Sequence, residues 1–184
     1  MFILYAVAAG LVLGLLGGGS LSRLGEVRFR WAPLIVVGFL VQVVLFSDFV
    51  AERVGELGPL LYVGSTLMVG VAVVRNLALP GFPLVVLGAA SNMLAILANG
   101  GFMPAAPGAL ASLGKGAPTI YSNSAVVVQP ALELLTDRFA MPRWMPFTNV
   151  FSIGDVLLGI GVAVVIVTAM RRRPDPPRPQ PATA

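Results

Sequence analysis

The sequence contains no cysteine and no histidine among its 184 residues. Without cysteine, the chain has no disulfides, no thiolate metal ligands and no thiol nucleophile. Without histidine, it lacks imidazole acid–base catalysis and histidine ligation of haem. We therefore expect neither a metal site nor a cofactor, and enzymatic activity is the less favoured reading.

Charged residues are also scarce, at 11% of the sequence, whereas 57% of the residues are hydrophobic. A soluble domain usually carries about 25% charged residues, because its surface faces water. Twelve basic and eight acidic side chains are too few to cover a water-facing surface for a chain of this length. The composition therefore predicts an integral membrane protein, since a bilayer solvates an apolar surface.

The net charge of +4 does not indicate nucleic-acid binding. The basic residues lie at the ends of apolar blocks, and they do not form a stripe with interleaved aromatic residues. The predicted partners are membrane lipids, together with a larger membrane complex or further copies of the chain. No nucleic acid is expected among them.

Five apolar blocks approach the length of about 20 residues that a membrane-spanning helix needs. These blocks, numbered here as spans one to five, cover residues 2–16, 31–49, 59–74, 79–98 and 147–170. No Lys or Arg precedes the first block, which favours a retained helix over a cleaved signal peptide. The sequence thus predicts an all-α integral membrane protein with one five-helix transmembrane domain over residues 1–170.

The arginines predict the orientation, because cytoplasmic loops of membrane proteins are enriched in Lys and Arg. Basic residues follow spans one, three and five, namely Arg23, Arg28, Arg30, Arg75 and the run 171–173. The loop after span two is instead acidic. The pattern predicts an external N-terminus, a cytoplasmic C-terminus and a multi-pass location in the bacterial inner (plasma) membrane.

Two segments lie outside the predicted spans. Residues 100–146 form a long external segment between spans four and five, which exceeds the length of a simple connector. Within it, residues 125–135 are apolar but short and interrupted by proline, which predicts an interfacial or re-entrant helix. Residues 171–184 are basic and Pro-rich, which predicts a disordered cytoplasmic tail.

Polar side chains in different spans fall at one depth when a rise of 1.5 Å is counted for each helical residue. Gln42, Asn92, Ser152 and Asp155 all lie in the outer third of the predicted bilayer, and the inner halves of these spans are almost purely apolar. Polar groups inside a membrane are costly unless paired, so they are functional candidates by default. The shared depth of these side chains predicts a polar pocket on the external side. The alternative is that these residues only join helices, through hydrogen bonds of about 0.6–2 kcal/mol each.

Asp155 is the strongest of these candidates. An ionised carboxylate at the centre of a membrane helix costs about 2.5–3.5 kcal/mol on insertion scales, and we expect Asp155 about eight residues into span five. No Lys or Arg lies in a span at that depth. The predicted partners are amides, hydroxyls, water, a cationic ligand, or an external base such as Arg138, Arg143 or Lys115. A functional and a structural role are equally open for Asp155.

Three sequence elements resemble a known family: Gln42 near the outer end of span two, the Asn92 position followed by the Asn-Gly-Gly-Phe-Met-Pro run at 99–104, and the Phe-Ser-Ile-Gly-Asp run at 151–155. They resemble a bacterial multi-pass membrane-protein family of unknown function, domain of unknown function 5317. The resemblance covers roughly residues 1–170 and implies one common design without an assigned activity. We take the following as candidate ligand-binding residues: Gln42, Asn92, Asn99, Met103, Ser152 and Asp155.

The run at 151–155 also loosely resembles the aspartate motif of lipoprotein signal peptidases. Those enzymes need a second aspartate, because an aspartyl pair polarises water while sharing one proton. The outer end of span four offers Asn99 and no carboxylate. Asp48 or Asp137 could approach Asp155 from the external surface, but nothing in the sequence requires it.

These observations lead to three functional hypotheses. The favoured one is a non-enzymatic protein that binds a small amphiphile (a lipid, quinone or isoprenoid) in the external pocket, alone or as a subunit of a membrane complex. The second is a small oligomeric transporter or channel that uses Asp155, although the five spans show no inverted repeat. The third is a membrane-embedded hydrolase with Asp155 as its acid–base group, for which the chain offers few partners.

Overall fold

The computed structural model describes residues 2–114, 122 and 124–172. The predicted tail beyond Arg172 and the candidate base Lys115 lie outside the described residues. The described chain is mostly helical. Its α-helices are α1 (Phe2–Leu16), α2 (Ala32–Leu45), α3 (Asp48–Ala51), α4 (Leu57–Val74), α5 (Phe82–Ala98), α6 (Pro107–Ser112) and α7 (Ile153–Arg171).

The five long helices pack side by side in the order α1, α7, α5, α4, α2. Helices α1 and α7 run parallel, since a Cβ on Gly10 would lie 3.0 Å from Ala163 and a side chain on Gly14 would meet Met170. The Gly-x-x-x-Gly spacing of α1 therefore serves packing within the chain, as small residues permit close helix contact. Helices α5 and α7 run antiparallel, as do α2 and α4, which are joined by hydrogen bonds from Gln42.

Helices α5 and α7 approach each other through glycine. A Cβ on Gly88 would lie 2.5 Å from the carbonyl oxygen of Gly154, and a Cβ on Gly161 would lie 2.8 Å from that of Gly81. Gly154 and Gly161 are seven residues apart in α7, so they lie on one face two helical turns apart. Gly88 lies within α5, and Gly81 directly precedes this helix. Backbone therefore contacts backbone at both places, and this contact brings the side chains of Asn92 and Asp155 within hydrogen-bonding distance.

Two described helices, α4 and α7, are long and apolar enough to cross a membrane. Helices α1, α2 and α5 are also apolar but contain only 15, 14 and 17 residues. Only 22% of the apolar window of α4 and 28% of that of α7 is buried inside the protein. Large apolar side chains are correspondingly exposed, among them Val43, Leu60 and Leu16.

Charge is unequally divided between the two ends of the bundle. At one end, Arg23 donates to the carbonyl oxygen of Met170 and so joins the chain after α1 to the end of α7. Hydrogen bonds between Arg30 and Asn76 join the start of α2 to the end of α4 at the same end. Among the described residues, this end, called here the basic end, carries six arginines and one glutamate. The opposite end, called here the acidic end, carries six carboxylates and three arginines.

The prediction for the start of the last long helix was wrong. The apolar block begins at Phe147, but α7 begins at Ile153, after a short strand, β4 (Val150–Phe151). Ser152 ends the extended segment and caps the helix, a boundary that hydrophobicity alone does not reveal. Asp155 consequently lies in the first turn of α7, and Asn149 lies outside the helix.

The acidic end is covered by a segment called here the cap, the described part of residues 99–152. In the cap, β1 (Met103–Pro104) pairs in parallel with β2 (Ser124–Ala125), and β3 (Phe139–Ala140) pairs antiparallel with β4. The prediction of an interfacial or re-entrant helix over 125–135 was wrong, because the helical part of this stretch is a single 3₁₀ turn, Glu133–Leu135. Pro130 explains the difference, since proline disfavours the helical conformation of the preceding residue and cannot donate a helical hydrogen bond.

The Asn-Gly-Gly-Phe-Met-Pro run attaches the cap to the helices. The Asn99 side chain donates to the carbonyl oxygens of Ala95, at 2.7 Å, and Ala131, at 2.9 Å, and it accepts from the backbone N–H of Ala131. Gly101 has a φ of +91° and lies against Pro59 of α4. Met103 is buried in an apolar cluster that includes residues of α2, α4 and α5.

Candidate functional site

The first turn of α7 is closed by a capping box. The Ser152 hydroxyl accepts from the backbone N–H of Asp155 at 3.0 Å, and the Asp155 carboxylate accepts from the backbone N–H of Ser152 at 3.1 Å. This reciprocal pair satisfies two backbone donors that a helix N-terminus otherwise leaves free. The negative charge of Asp155 also lies at the positive end of the helix dipole, where it is favourable.

Asn92 of α5 completes this arrangement from the neighbouring helix. Its amide nitrogen donates to Asp155 Oδ1 at 2.8 Å, and its amide oxygen accepts from the Ser152 hydroxyl at 2.8 Å. Ser152 has no exposed surface, whereas Asn92 and Asp155 are half-buried. We call Asn92, Ser152 and Asp155 the polar triad. It joins α5 to α7 at the acidic end of the bundle.

The polar triad depends on Gly154. A Cβ at this position would overlap the Asn92 amide oxygen and lie 2.9 Å from the carbonyl oxygen of Gly88. Any side chain larger than hydrogen would therefore push Asn92 away from Ser152 and Asp155. The Ser-x-Gly-Asp spacing thus combines a helix cap, a close backbone contact and an acid in four residues.

A second carboxyl group, that of Asp137, lies within range of the charge of Asp155. Its backbone N–H donates to the carbonyl oxygen of Pro104, and its carbonyl oxygen accepts from the N–H of Ala106, both at 2.9 Å. Two residues later, Phe139 pairs with Phe151 across the β3–β4 ladder. This register leads the chain of Asp137 toward the first turn of α7, where Asp155 lies.

One carboxyl oxygen of the half-buried Asp137 lacks a polar partner among the described residues. Its Oδ1 atom has no hydrogen-bond partner among the described residues and is shielded from solvent, as is the hydroxyl of Ser91 on α5. Burial, and next the negative charge of Asp155, raise the pKa of Asp137 to about 7. A carboxyl group in this position is half-protonated near neutral pH, and it can act as either a donor or an acceptor.

Cationic side chains of the cap are engaged elsewhere. Arg138 forms an ion pair with Glu133 at 3.3 Å. Arg143 donates hydrogen bonds to the carbonyl oxygens of Ala111 and Ser112. The described hydrogen-bond donors to Asp155 are thus the amide of Asn92 and the backbone of Ser152. The described residues also include no group of three or more acidic side chains that could hold a metal ion.

The region that contains these residues matches the model of a known protein family. The model of a family of unknown function, DUF5317, matches residues 26–167. The chain belongs to this family. The matched region of the DUF5317 chain contains Asn92, Asp137, Ser152 and Asp155, together with the whole cap. No curated protein and no solved structure matches the chain.

The six candidate residues of this DUF5317 protein separate into three groups. Asn92, Ser152 and Asp155 bond to one another, as described. Gln42 lies between α2 and α4, where its amide donates to the hydroxyls of Ser65, at 3.4 Å, and Thr66, at 3.1 Å.

Asn99 and Met103 form the third group and hold the cap. Their contacts, given above, are to backbone groups and to buried apolar side chains. Within the described structure, these two residues therefore serve the attachment of the cap.

Sequence reasoning named Asp137 only as a group that could approach Asp155. Asp137 carries no local motif, because the backbone bridge to Ala105 that positions it joins residues 32 positions apart. The detectable signal was its setting: with Glu133, Asp137 is one of two acids in a long segment that also contains many apolar residues.

Proposed function

We propose that this protein is a multi-pass integral membrane protein of the bacterial inner membrane that binds a small amphiphile at the acidic end of α5 and α7. A lipid, quinone or isoprenoid fits this description. The observation that carries the proposal is the Oδ1 atom of Asp137, which is shielded from solvent, has no hydrogen-bond partner in the described part of the chain and belongs to a carboxyl group within range of the charge of Asp155. Buried polar atoms are almost always hydrogen-bonded, so an orphaned one indicates a missing partner.

The proposed ligand has a polar head and an apolar body. A hydroxyl or amine of the head group would donate to Asp137 or to the unused lone pairs of Asp155, because an ionised carboxylate has about four acceptor positions. The apolar body would lie against the exposed aliphatic side chains of the helices. A purely structural triad, in contrast, leaves the carboxyl group of Asp137 unexplained.

We further propose that α1, α2, α4, α5 and α7 all cross the membrane, with the acidic end outside. The unequal charge of the two ends supports this arrangement, because Lys and Arg concentrate on the cytoplasmic side. The parallel packing of α1 and α7 supports it too, since the first and last of five spans must run in the same direction. The exposed apolar surface of the helices is what lipid would cover.

Single cysteines test this topology, because the natural chain has none. Ser47→Cys at the acidic end should react with a membrane-impermeant maleimide in intact cells. Ser22→Cys at the basic end should react only after the cells are permeabilised. Both serines are exposed, so they form a matched pair. The reverse labelling pattern would contradict the proposed orientation, and labelling of both in intact cells would contradict a span between them.

Lipid analysis of the purified protein tests the ligand. We expect native mass spectrometry to show a defined lipid, quinone or isoprenoid bound to the wild type. Asp155→Asn and Asn92→Ala should lose it, because each removes a member of the polar triad, whereas Asp48→Asn, an exposed acid at the same end, should retain it. If all variants are folded and bind the same molecules, the triad is structural and the proposal is wrong.

Hydrolysis is the second candidate function. The observation that favours it is that the charge of Asp155 acts on the carboxyl group of Asp137. Two carboxyl groups can share one proton, so that one accepts a proton from water while the other donates to the substrate carbonyl. The same native mass spectrometry experiment distinguishes ligand binding from hydrolysis. Under hydrolysis, Asp137→Asn would retain the bound amphiphile uncleaved, whereas the wild type would release a cleaved product.

A further inference from the structure

A cavity lies at the basic end of the bundle, away from the polar triad. This inner groove has a volume of about 550 Å³ and is lined by Leu79, Pro80, Val165, Thr168, Arg171 and Arg172, among others. Its volume falls within the range of about 300–1,000 Å³ that is typical of small-molecule sites. About 24 Å of helix separates Arg171 from Asp155 along α7, so the groove is distinct from the polar triad.

The walls of the groove are apolar over most of their length. Thr168 does not change this, because its hydroxyl donates to the carbonyl oxygens of Val164, at 2.7 Å, and Val165. Its methyl group is therefore the part available to a ligand. An aliphatic chain could lie between the start of α5 and the last turns of α7 without leaving a polar group unsatisfied.

The mouth of the groove is cationic. Among residues 2–114, 122 and 124–172, neither Arg171 nor Arg172 forms an ion pair with a carboxylate. Guanidinium groups bind phosphate through two parallel hydrogen bonds, which makes arginine well suited to this ligand. The N-terminal end of α5 lies at the same groove, and its dipole also favours an anion.

From this combination we infer that the inner groove binds an anionic membrane phospholipid. One acyl chain lies along Leu79, Val165 and Thr168, and the phosphate contacts Arg171 and Arg172. The charge of the groove mouth selects the ligand, because the cytoplasmic leaflet is rich in anionic lipids that attract basic segments beside a membrane helix. The inference rests on the proposed insertion in a membrane but not on the external ligand.

Native mass spectrometry with added lipid tests the site. The wild-type protein should retain phosphatidylglycerol in preference to phosphatidylcholine. The double variant Arg171→Gln/Arg172→Gln should bind phosphatidylglycerol about 30-fold more weakly, as two cations at a membrane surface each contribute about fivefold. The matched double variant Arg138→Gln/Arg143→Gln, at the acidic end, should bind it as the wild type does.

A second pair of variants tests whether lipid binding needs the apolar groove or only the positive charge of the two arginines. Thr168→Phe fills the groove while both arginines remain, so it should abolish the preference for phosphatidylglycerol. Thr168→Val keeps the apolar wall and should bind normally. Unchanged binding by Thr168→Phe, or equal retention of the two lipids by the wild type, would overturn the inference even if the double arginine variant fails to fold. Asp155→Asn should not affect the binding of phosphatidylglycerol. A failure of the proposed external ligand site can therefore be distinguished from a failure of the inner groove.

Discussion

Replacing Asp137 with asparagine is expected to stabilise the protein at pH 8, by up to about 4 kcal/mol. The Oδ1 atom of this half-buried residue is shielded from solvent and has no partner among the described residues. Burial raises the pKa of Asp137 in the folded protein to about 7, from the usual 3.8. At pH 8, the folded wild type must therefore hold a charge that the unfolded chain exposes to water. The amide of asparagine has a similar shape and never ionises, so the variant avoids this cost.

The sign of the pH dependence follows from the direction of the pKa shift. Below pH 3.8, Asp137 is protonated in both states and costs nothing. Between pH 3.8 and about 7 the folded protein keeps a proton that the unfolded chain has lost, so the stability falls as the pH rises. Above pH 7 the loss is complete, and the difference between wild type and variant becomes constant.

Thermal unfolding in detergent between pH 4 and pH 9 checks this prediction. The difference in unfolding midpoint between Asp137→Asn and the wild type should grow from pH 4 to about pH 7 and then level off. Asp48→Asn, which removes an exposed acid, should follow the wild type throughout. A wild type and an Asp137→Asn variant with parallel pH profiles would show that Asp137 is solvated or paired in the folded protein.

Adding a single methyl group at Gly88 is expected to disrupt the contact between α5 and α7. The new Cβ would lie 2.5 Å from the carbonyl oxygen of Gly154 and 2.7 Å from the nitrogen of Leu158. Both are backbone atoms, so neither can rotate away, and the helices must separate. Overpacking of this kind typically costs about 1–3 kcal/mol. The separation would also break the hydrogen bonds between Asn92 and Asp155, so Gly88→Ala should lose the external ligand.

Helix α4 provides the matched control for this prediction. Apart from the neighbouring backbone of α4 itself, a Cβ on Gly64 or Gly70 would meet no described atom within 4 Å. Alanine at these positions should therefore be neutral or stabilising by about 0.5–1 kcal/mol, because glycine is the poorer residue within a helix. The unfolding midpoints of Gly88→Ala and Gly64→Ala should thus move in opposite directions. Equal midpoints would show that α5 and α7 can move apart at little cost.

Some predictions from the sequence succeeded because they depend on local chemistry. The match to DUF5317 confirms the family that the Asn-Gly-Gly-Phe-Met-Pro and Ser-x-Gly-Asp elements indicated. The first apolar block, residues 2–16, coincides with α1. The five membrane spans remain a proposal, because two of the described helices meet the length criterion for a span. The external ligand site likewise remains a proposal.

Other predictions failed because the hydrophobicity of a segment does not determine whether its backbone is helical or extended. The residues from Phe147 to Phe151 are apolar enough to continue a helix, yet β4 pairs Val150 with Ala140 in an extended conformation. Ser152 and Asp155 carried the correct signal as a capping box, which moves Asp155 from the middle of a predicted span to the first turn of α7.

The sequence by itself determined that this protein has an apolar surface, one basic and one acidic end, and no histidine or cysteine chemistry. These properties follow from composition and from the order of residues along the chain. Only the tertiary structure decided which polar groups meet. Asn92 reaches Asp155 because glycines let two backbones touch. A backbone bridge to Ala105 holds Asp137 in the cap, within range of the charge of Asp155. Ala105 and Asp137 are 32 positions apart in the sequence, and Asn92 and Asp155 are 63 positions apart. Such contacts depend on how the helices and the cap pack together, which cannot be read from a local sequence pattern.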